Sequence, residues 1–144
     1  MMMDQKTKKV LFLCTGNSAR SQMAEGWFKF LGPKDWEVQS AGVFPSYVHP
    51  LAIRVMEEIG IDISGQTSKS TDLFLRQAFD YIITLCDHAA MVCPNFPGQG
   101  KRIAWSFEDP AAAMGTIEER LTVFRRVRDE IKAKIEAFLK SESS

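Results

Sequence analysis

Apolar positions along the chain switch between two periods. Val10-Leu11-Phe12-Leu13 is a continuous apolar run and predicts a buried strand over 9–13. Met23, Ala24, Trp27, Phe28 and Leu31 then recur at three- and four-residue intervals. That period predicts an amphipathic helix over 20–31, ended by Gly32-Pro33. Residues 36–40, Trp-Glu-Val-Gln-Ser, alternate like a strand with one buried face. Pro50 suits the first turn of a second helix, with Leu51, Val55 and Ile59 inward and Gly60 closing it. Residues 68–77 predict a further short helix. Tyr81-Ile82-Ile83-Thr84-Leu85 reads as a central parallel strand covered on both faces, and 101–105 as a fourth, shorter strand. The last helix is the clearest. Thr116 and Glu119 have capping-box spacing, and Ile117, Leu121, Phe124, Val127, Ile131, Ile135 and Phe138 follow as one stripe. Its solvated face offers the i,i+4 pairs Glu130 with Lys134 and Glu136 with Lys140.

Strands alternating with helices predict right-handed βαβ units on a parallel sheet. The expected fold is α/β: a single three-layer domain over 7–140, a four-stranded parallel sheet flanked by helices, with 1–6 and 141–144 frayed. Such sheets bind ligands beyond the carboxyl ends of their strands. Cys14 follows the first strand, Cys86 the third and Asp109 the fourth, so this topology gathers three reactive side chains on one rim.

Composition narrows the function. At 144 residues, 45% hydrophobic and 25% charged, the chain suits one globular domain with a real core. Eighteen basic and eighteen acidic residues give zero formal net charge, so neither a nucleic-acid partner nor a solvating acidic tail is expected. No apolar run is long enough to span a bilayer, and the opening residues lack a signal-peptide core, so the expectation is a cytoplasmic protein without a membrane partner. Three cysteines, an odd number, fit redox chemistry or inert core thiols better than a fixed disulfide plan. His49 and His88 lack metal-ligand spacing with the cysteines, and no metal site is expected from them. His49, before Pro50, helps start a helix; His88 adjoins Cys86 and is placed to tune its thiol.

The chemistry concentrates in Cys14-Thr15-Gly16-Asn17-Ser18-Ala19-Arg20-Ser21, between the first strand and the first helix. In that context the loop's backbone N–H groups, the helix N-terminus and the Arg20 fork make an oxyanion cradle. The same field favours the thiolate of Cys14. Outside such a loop, Cys14 reads as a small core hydrophobe ending a strand. Asp109-Pro110 is open in the same way. Proline holds Asp109 extended, which suits an aimed general acid or an ordinary turn residue.

Cys-Thr-Gly-Asn-Ser-Ala-Arg-Ser-Gln-Met-Ala-Glu-Gly-Trp from Cys14, Thr84-Leu85-Cys86 through Cys93-Pro94, and Trp105-Ser106-Phe107-Glu108-Asp109-Pro110 together resemble the thioredoxin-coupled arsenate reductases. That family is built on the low-molecular-weight tyrosine phosphatase fold, and the resemblance runs from about Lys9 to Phe138. It implies reduction of arsenate to arsenite by a three-cysteine relay, with thioredoxin as reductant, arsenic detoxification as the purpose and a monomeric protein. Thr15, Gly16, Asn17, Ser18, Ala19, Arg20 and Ser21 would hold the anion, and Ser21 would steady the thiolate. Cys14 would attack arsenic, Arg20 would neutralise its oxygens and Asp109 would protonate the departing oxygen. Cys86 would then attack Cys14, releasing arsenite, and Cys93 would attack Cys86. No other cofactor is implied, apart from a potassium ion that some relatives bind at positions matching Asn17, Glu25, Ser40 and Thr67.

The chain departs from that pattern twice. Ala19 stands where many relatives carry a further cysteine, and Lys69 stands where an acidic residue usually follows the threonine. The ammonium of Lys69 is expected to take over the cation's electrostatic role. Geometry adds one condition. If 86–93 is helical, the Cα atoms of Cys86 and Cys93 lie about 10.5 Å apart, beyond the roughly 7 Å a disulfide tolerates. The segment must then unwind on oxidation, which Pro94 eases. Two other readings stand beside the reductase. One is a low-molecular-weight protein tyrosine phosphatase, a phosphomonoester hydrolase. Ala111-Ala112-Ala113 after Asp109-Pro110 offers no aromatic wall for a phosphotyrosine ring and favours a small inorganic anion. The other is an oxyanion-binding redox sensor, disfavoured by the intact Cys, Arg and Asp set.

Overall fold

The computed structural model describes residues 8–94, 96–98 and 100–142. Four strands, β1 (Lys9–Cys14), β2 (Glu37–Gly42), β3 (Tyr81–Thr84) and β4 (Lys101–Ala104), form one parallel sheet in the order β2-β1-β3-β4. The two continuous apolar runs became the two inner strands. Val10, Leu11 and Phe12 are wholly buried, and every residue of β3 is buried, because an inner parallel strand is covered on both faces. Helices α1 (Arg20–Leu31), α2 (Pro50–Glu57), α3 (Asp87–Val92) and α4 (Ile117–Glu142) flank the sheet. The protein is thus a single α/β domain with a four-stranded parallel sheet flanked by helices.

Strand order reverses between β1 and β3, which leave the sheet level with each other: Leu13 pairs with Thr84, and Leu85 N donates to Leu13 O at 2.8 Å. The loops after these two strands therefore meet at the switch point, where α/β sheets bind ligands. Away from that rim an aromatic cluster closes the core, with Phe28, Trp36, Tyr81 and Trp105 all within 6.4 Å of Phe138, centroid to centroid.

Several expectations need correction. The helix expected over 68–77 is only a 3-10 turn, Thr71–Phe74. Ser70 Oγ accepts from Asp72 N and starts that turn, and short polar side chains that bond nearby backbone compete with longer helix. β2 runs from Glu37 to Gly42 rather than over 36–40; Trp36 precedes it, its ring stacked on Tyr81 at 5.8 Å and 8°. β4 ends at Ala104, and Trp105 continues only by donating its N–H to Thr84 O. In α2 the wholly buried side chains are Ala52, Val55 and Met56, with Leu51 and Ile59 partly buried, and Gly60 closes the turn at φ +84°. The capping box formed in both directions, Glu119 N to Thr116 Oγ1 and Thr116 N to Glu119 Oε1. Ile117, however, is half exposed, since the first turn of α4 lies before the core, and the buried stripe starts at Leu121. Glu130 meets Arg126 at 3.5 Å. Finally, α4 continues through Glu142, whose carboxylate accepts from the Tyr81 hydroxyl, so residues 141 and 142 belong to this helix. The expectations for 1–6 and 143–144 lie outside the described residues. Among the described residues, no helix is long and apolar enough to cross a membrane.

Candidate active-site loop

Residues 15–19 leave β1 and reach α1 with the carbonyls of 15–18 turned outward. Thr15 O accepts from Phe44 N (2.8 Å), Gly16 O from Ser46 N (3.1 Å) and Ser68 Oγ (3.0 Å), and Ser18 O from His49 N (3.0 Å). Asn17 O accepts from Gln22 Nε2 at 3.0 Å. Across a planar trans peptide the next N–H points opposite to the carbonyl. Four outward carbonyls therefore turn the N–H groups of Gly16, Asn17, Ser18 and Ala19 into the ring. The cradle read from the sequence is present, and its orientation is fixed from outside.

Two residues let the loop close. Asn17 takes φ +48°, a left-handed conformation that asparagine tolerates better than most side chains. Gly42, at the end of β2, lies so near that a Cβ there would sit 2.6 Å from Thr15 O and 2.7 Å from Asn17 N. Gly16, the glycine inside the motif, has ordinary room for a Cβ, at 3.6 Å from its nearest neighbour.

Cys14 ends β1, almost wholly buried, with Sγ 2.9 Å from Ser21 Oγ. Ser21 Oγ already accepts from Asn17 Nδ2 at 2.8 Å and keeps its own proton available, which it can give to a thiolate at Cys14. Asn17 is oriented in turn by Lys69 N, which donates to Oδ1 at 2.7 Å. A hydrogen-bond chain thus runs from the Lys69 backbone through Asn17 and Ser21 to Cys14. Arg20 Nη1 donates to Phe107 O at 3.1 Å, tying the helix start to the loop after β4, and Nη2 stands 3.8 Å from Asp109 Oδ2. Asp109 is extended (ψ 106°), as the following proline requires, and its Oδ1 accepts from Ala111 N at 3.0 Å. The turn-residue reading of Asp109 holds, with one oxygen capping the turn and the other facing the arginine.

Cys86 caps α3 and is buried; its Sγ accepts from Ala89 N at 3.4 Å and lies 3.5 Å from Thr15 Oγ1. Cys93 ends α3, half-buried on the outer side, and all three cysteines are free thiols. The helical form of 86–93 is the one in which the two outer thiols are too far apart to bond. His88 stacks on Phe44 (centroids 6.5 Å apart), so the Cys86 thiol has Thr15 and Ala89 as its partners rather than this imidazole. His49 does start α2: Nδ1 accepts from Leu51 N at 3.1 Å. Burial and the neighbouring Arg120 hold His49 below its usual pKa, with Asp109 pulling the other way.

Three of the four potassium-site positions also meet. Ser40 Oγ donates to Glu25 Oε1 at 2.5 Å, Lys29 Nζ reaches Glu25 Oε2 at 2.7 Å, and Lys69 Nζ lies 3.8 Å from Glu25 Oε1 while donating to Thr67 O at 3.0 Å. Asn17 turns its side chain to Ser21 and to the Lys69 backbone instead. With the carboxylate and the Thr67 carbonyl already facing ammonium groups, these residues do not fit a monovalent metal ion. Burial pushes the Lys69 amine below its usual pKa, and Glu25 opposes that shift.

Sequence reasoning missed the outer supports, namely Gln22, Gly42, Phe44, Ser46 and Ser68. Gln22, buried beside the equally buried Ser21, gave a faint signal, because polar residues on the inward face of a helix start need partners.

A buried thiol beneath a ring of inward N–H groups, with an arginine and a facing carboxyl, has the arrangement of a phosphatase-type oxyanion site. The chain belongs to the low molecular weight phosphotyrosine protein phosphatase family, whose profile matches residues 9–143, and within it to the arsenate reductases. An arsenate reductase of Halalkalibacterium halodurans is 55% identical over 131 residues, covering 91% of this chain and 94% of that one. A solved arsenate reductase in its oxidized state superposes with a TM-score of 0.81 at 42% identity, covering 96% of this chain and all of that one. A thioredoxin-dependent arsenate reductase of Corynebacterium glutamicum superposes at 0.66 with 28% identity, over 96% of this chain and 65% of that one. The phosphatases are its relatives in fold.

Proposed function

We propose that the protein reduces arsenate to arsenite through Cys14, Cys86 and Cys93 in succession, with thioredoxin as the final reductant and arsenic detoxification as the outcome. Arsenate would sit against the inward N–H groups of residues 16–19 and the Arg20 guanidinium. Cys14 thiolate attacks arsenic, and one oxygen leaves as water with a proton from Asp109. Cys86 thiolate then attacks Cys14 Sγ. The new S–S bond takes the place of the S–As bond, whose electron pair stays on arsenic, and arsenite departs. Cys93 attacks Cys86 Sγ and frees Cys14 as thiolate, beside Ser21. Thioredoxin supplies two electrons and two protons to the Cys86–Cys93 disulfide.

One observation carries this reading. Cys14 ends β1 and Cys86 follows β3, both buried and linked through Thr15, while Cys93 lies half-buried at the far end of the helix that Cys86 starts. Ester hydrolysis needs only the first. The cytoplasm, where thiols are kept reduced, is the compartment such a relay requires, and the protein acts there as a monomer with neither membrane nor nucleic acid as partner. Lys69 takes the place of a potassium ion, so activity is the same in potassium and in sodium at constant ionic strength. A several-fold advantage for potassium contradicts that assignment.

The direct test couples the protein to thioredoxin, its reductase and NADPH. Arsenate-dependent turnover is lost in Cys14→Ser, Cys86→Ser and Cys93→Ser separately. If the two outer variants turn over arsenate like the parent, the relay is wrong, and efficient phosphoester hydrolysis by them would favour the phosphatase.

A further inference from the structure

Cys93 stands in poor surroundings for a nucleophile. Cys86 occupies the N-cap of α3 and accepts a backbone N–H, whereas Cys93 sits at the opposite, carbonyl end of that helix. Its only described acceptor is the Pro94 carbonyl, to which Sγ donates at 3.5 Å. Yet Arg102, on the exposed edge strand β4, directs both arms of its guanidinium here. Nη1 donates to Cys93 Sγ at 3.4 Å and Nη2 donates to Pro94 O at 2.9 Å.

We propose that Arg102 is a positioning residue for the last thiol–disulfide exchange, presenting positive charge to Cys93 Sγ while its second arm holds the Pro94 carbonyl against β4. The proposal rests on Cys93 being the third thiol of the relay. Burial pushes the Cys93 thiol above its usual pKa and Arg102 opposes that shift, so the guanidinium is the described group working toward thiolate. A planar fork suits the task better than an ammonium, because it spans a sulfur and a carbonyl at once. The two contacts also differ in strength. The long N–H to sulfur contact releases easily when α3 unwinds, while the 2.9 Å bond to Pro94 O keeps the far end of the moving segment anchored. In the step itself Cys93 gives its proton to solvent and its thiolate attacks Cys86 Sγ. The Cys86–Cys93 bond forms as Cys14–Cys86 breaks, and Cys14 leaves with the electron pair.

The test uses the full chain, fully reduced, as parent, Arg102→Lys and Arg102→Gln. Iodoacetamide labelling of each cysteine is followed by mass spectrometry from pH 6 to 10. Arg102→Gln should move the Cys93 profile to higher pH and slow its labelling at pH 7, by roughly tenfold for each pH unit moved. Cys14 labelling should not change, which also reports an intact loop. Arg102→Lys should recover most of the profile. After one equivalent of arsenate, it should form the Cys86–Cys93 disulfide more slowly than the parent, having lost the hold on Pro94. An unmoved Cys93 profile in Arg102→Gln overturns the proposal. So does slower labelling by the same factor at every pH, which marks a change of access alone. A parent that never forms Cys86–Cys93 with arsenate refutes the relay instead, a result separate from the labelling profiles.

Discussion

The surroundings of Cys14 are fixed by side chains behind the loop. Asn17 receives Lys69 N, gives a hydrogen bond to Ser21, and so holds the Ser21 hydroxyl beside the sulfur. Gly42 is the least tolerant neighbour, because its absent side chain makes room for Thr15 O and Asn17 N. Gly42→Ala should lower stability by about 1–3 kcal/mol in chemical denaturation and also weaken inorganic phosphate binding by calorimetry, since the loop must shift to admit the methyl. Parent-like values for both would show that the loop is not tied to β2 in this way. The motif made Cys14, Arg20 and Asp109 legible in the sequence, but Gly42 was hidden. Its role arises from the pairing of Cys14 with Gly42 across two strands, and no local pattern records that register. His49 was legible as a helix starter, though not as a titrating group. Its folded pKa lies below the usual 6.5, so the folded state disfavours the imidazolium. The associated stability is complete above pH 6.5 and is lost as pH falls toward the folded value. The thermal midpoint of the parent should therefore fall faster below pH 6.5 than that of His49→Asn, which keeps a capping side chain. Parallel curves contradict this.

Helix α3 is where local structure and chemistry collide. Its six residues hold Cys86 and Cys93 at opposite ends, and Ala90 N to Cys86 O (3.1 Å) closes its first turn. Forming the outer disulfide means breaking that turn. Amide hydrogen exchange across 86–93 should be slowed in the reduced protein and fast in the Cys86–Cys93 form; equal protection in both states contradicts the unwinding. The helix itself entered the sequence reading only as a condition; what followed from it was readable from Cys spacing and Pro94, because both are covalent facts of the chain. The 68–77 segment was not readable in the same way. Its apolar positions suggested helix, but Ser70 captured Asp72 N, and Gly42 N took the Lys69 carbonyl. Tertiary partners absorbed the backbone before a helix could use it. Trp36 likewise left the strand its alternation predicted and joined the Tyr81 and Phe138 cluster.

Taken whole, the sheet order does most of the functional placement. With β1 and β3 adjacent and level, the loop after one and the helix after the other are neighbours, and Thr15 and Cys86 come within 3.5 Å. The alternation of strands and helices made this rim readable before any contact was known. The handedness rule and the switch point then supply the rest. What alternation does not carry is the outer layer of supports, where Arg102 from β4 reaches Cys93 and Lys69 reaches Glu25. These contacts join separate elements through single long side chains. The central claim is an ordered transfer of one electron pair through three sulfurs, and it is tested by rapid quench of the reduced protein mixed with one equivalent of arsenate and no thioredoxin. Disulfide mapping over time should show Cys14–Cys86 first and Cys86–Cys93 after it, with one arsenite released per chain. Arsenite release while Cys86 and Cys93 both remain open to alkylation would contradict the account.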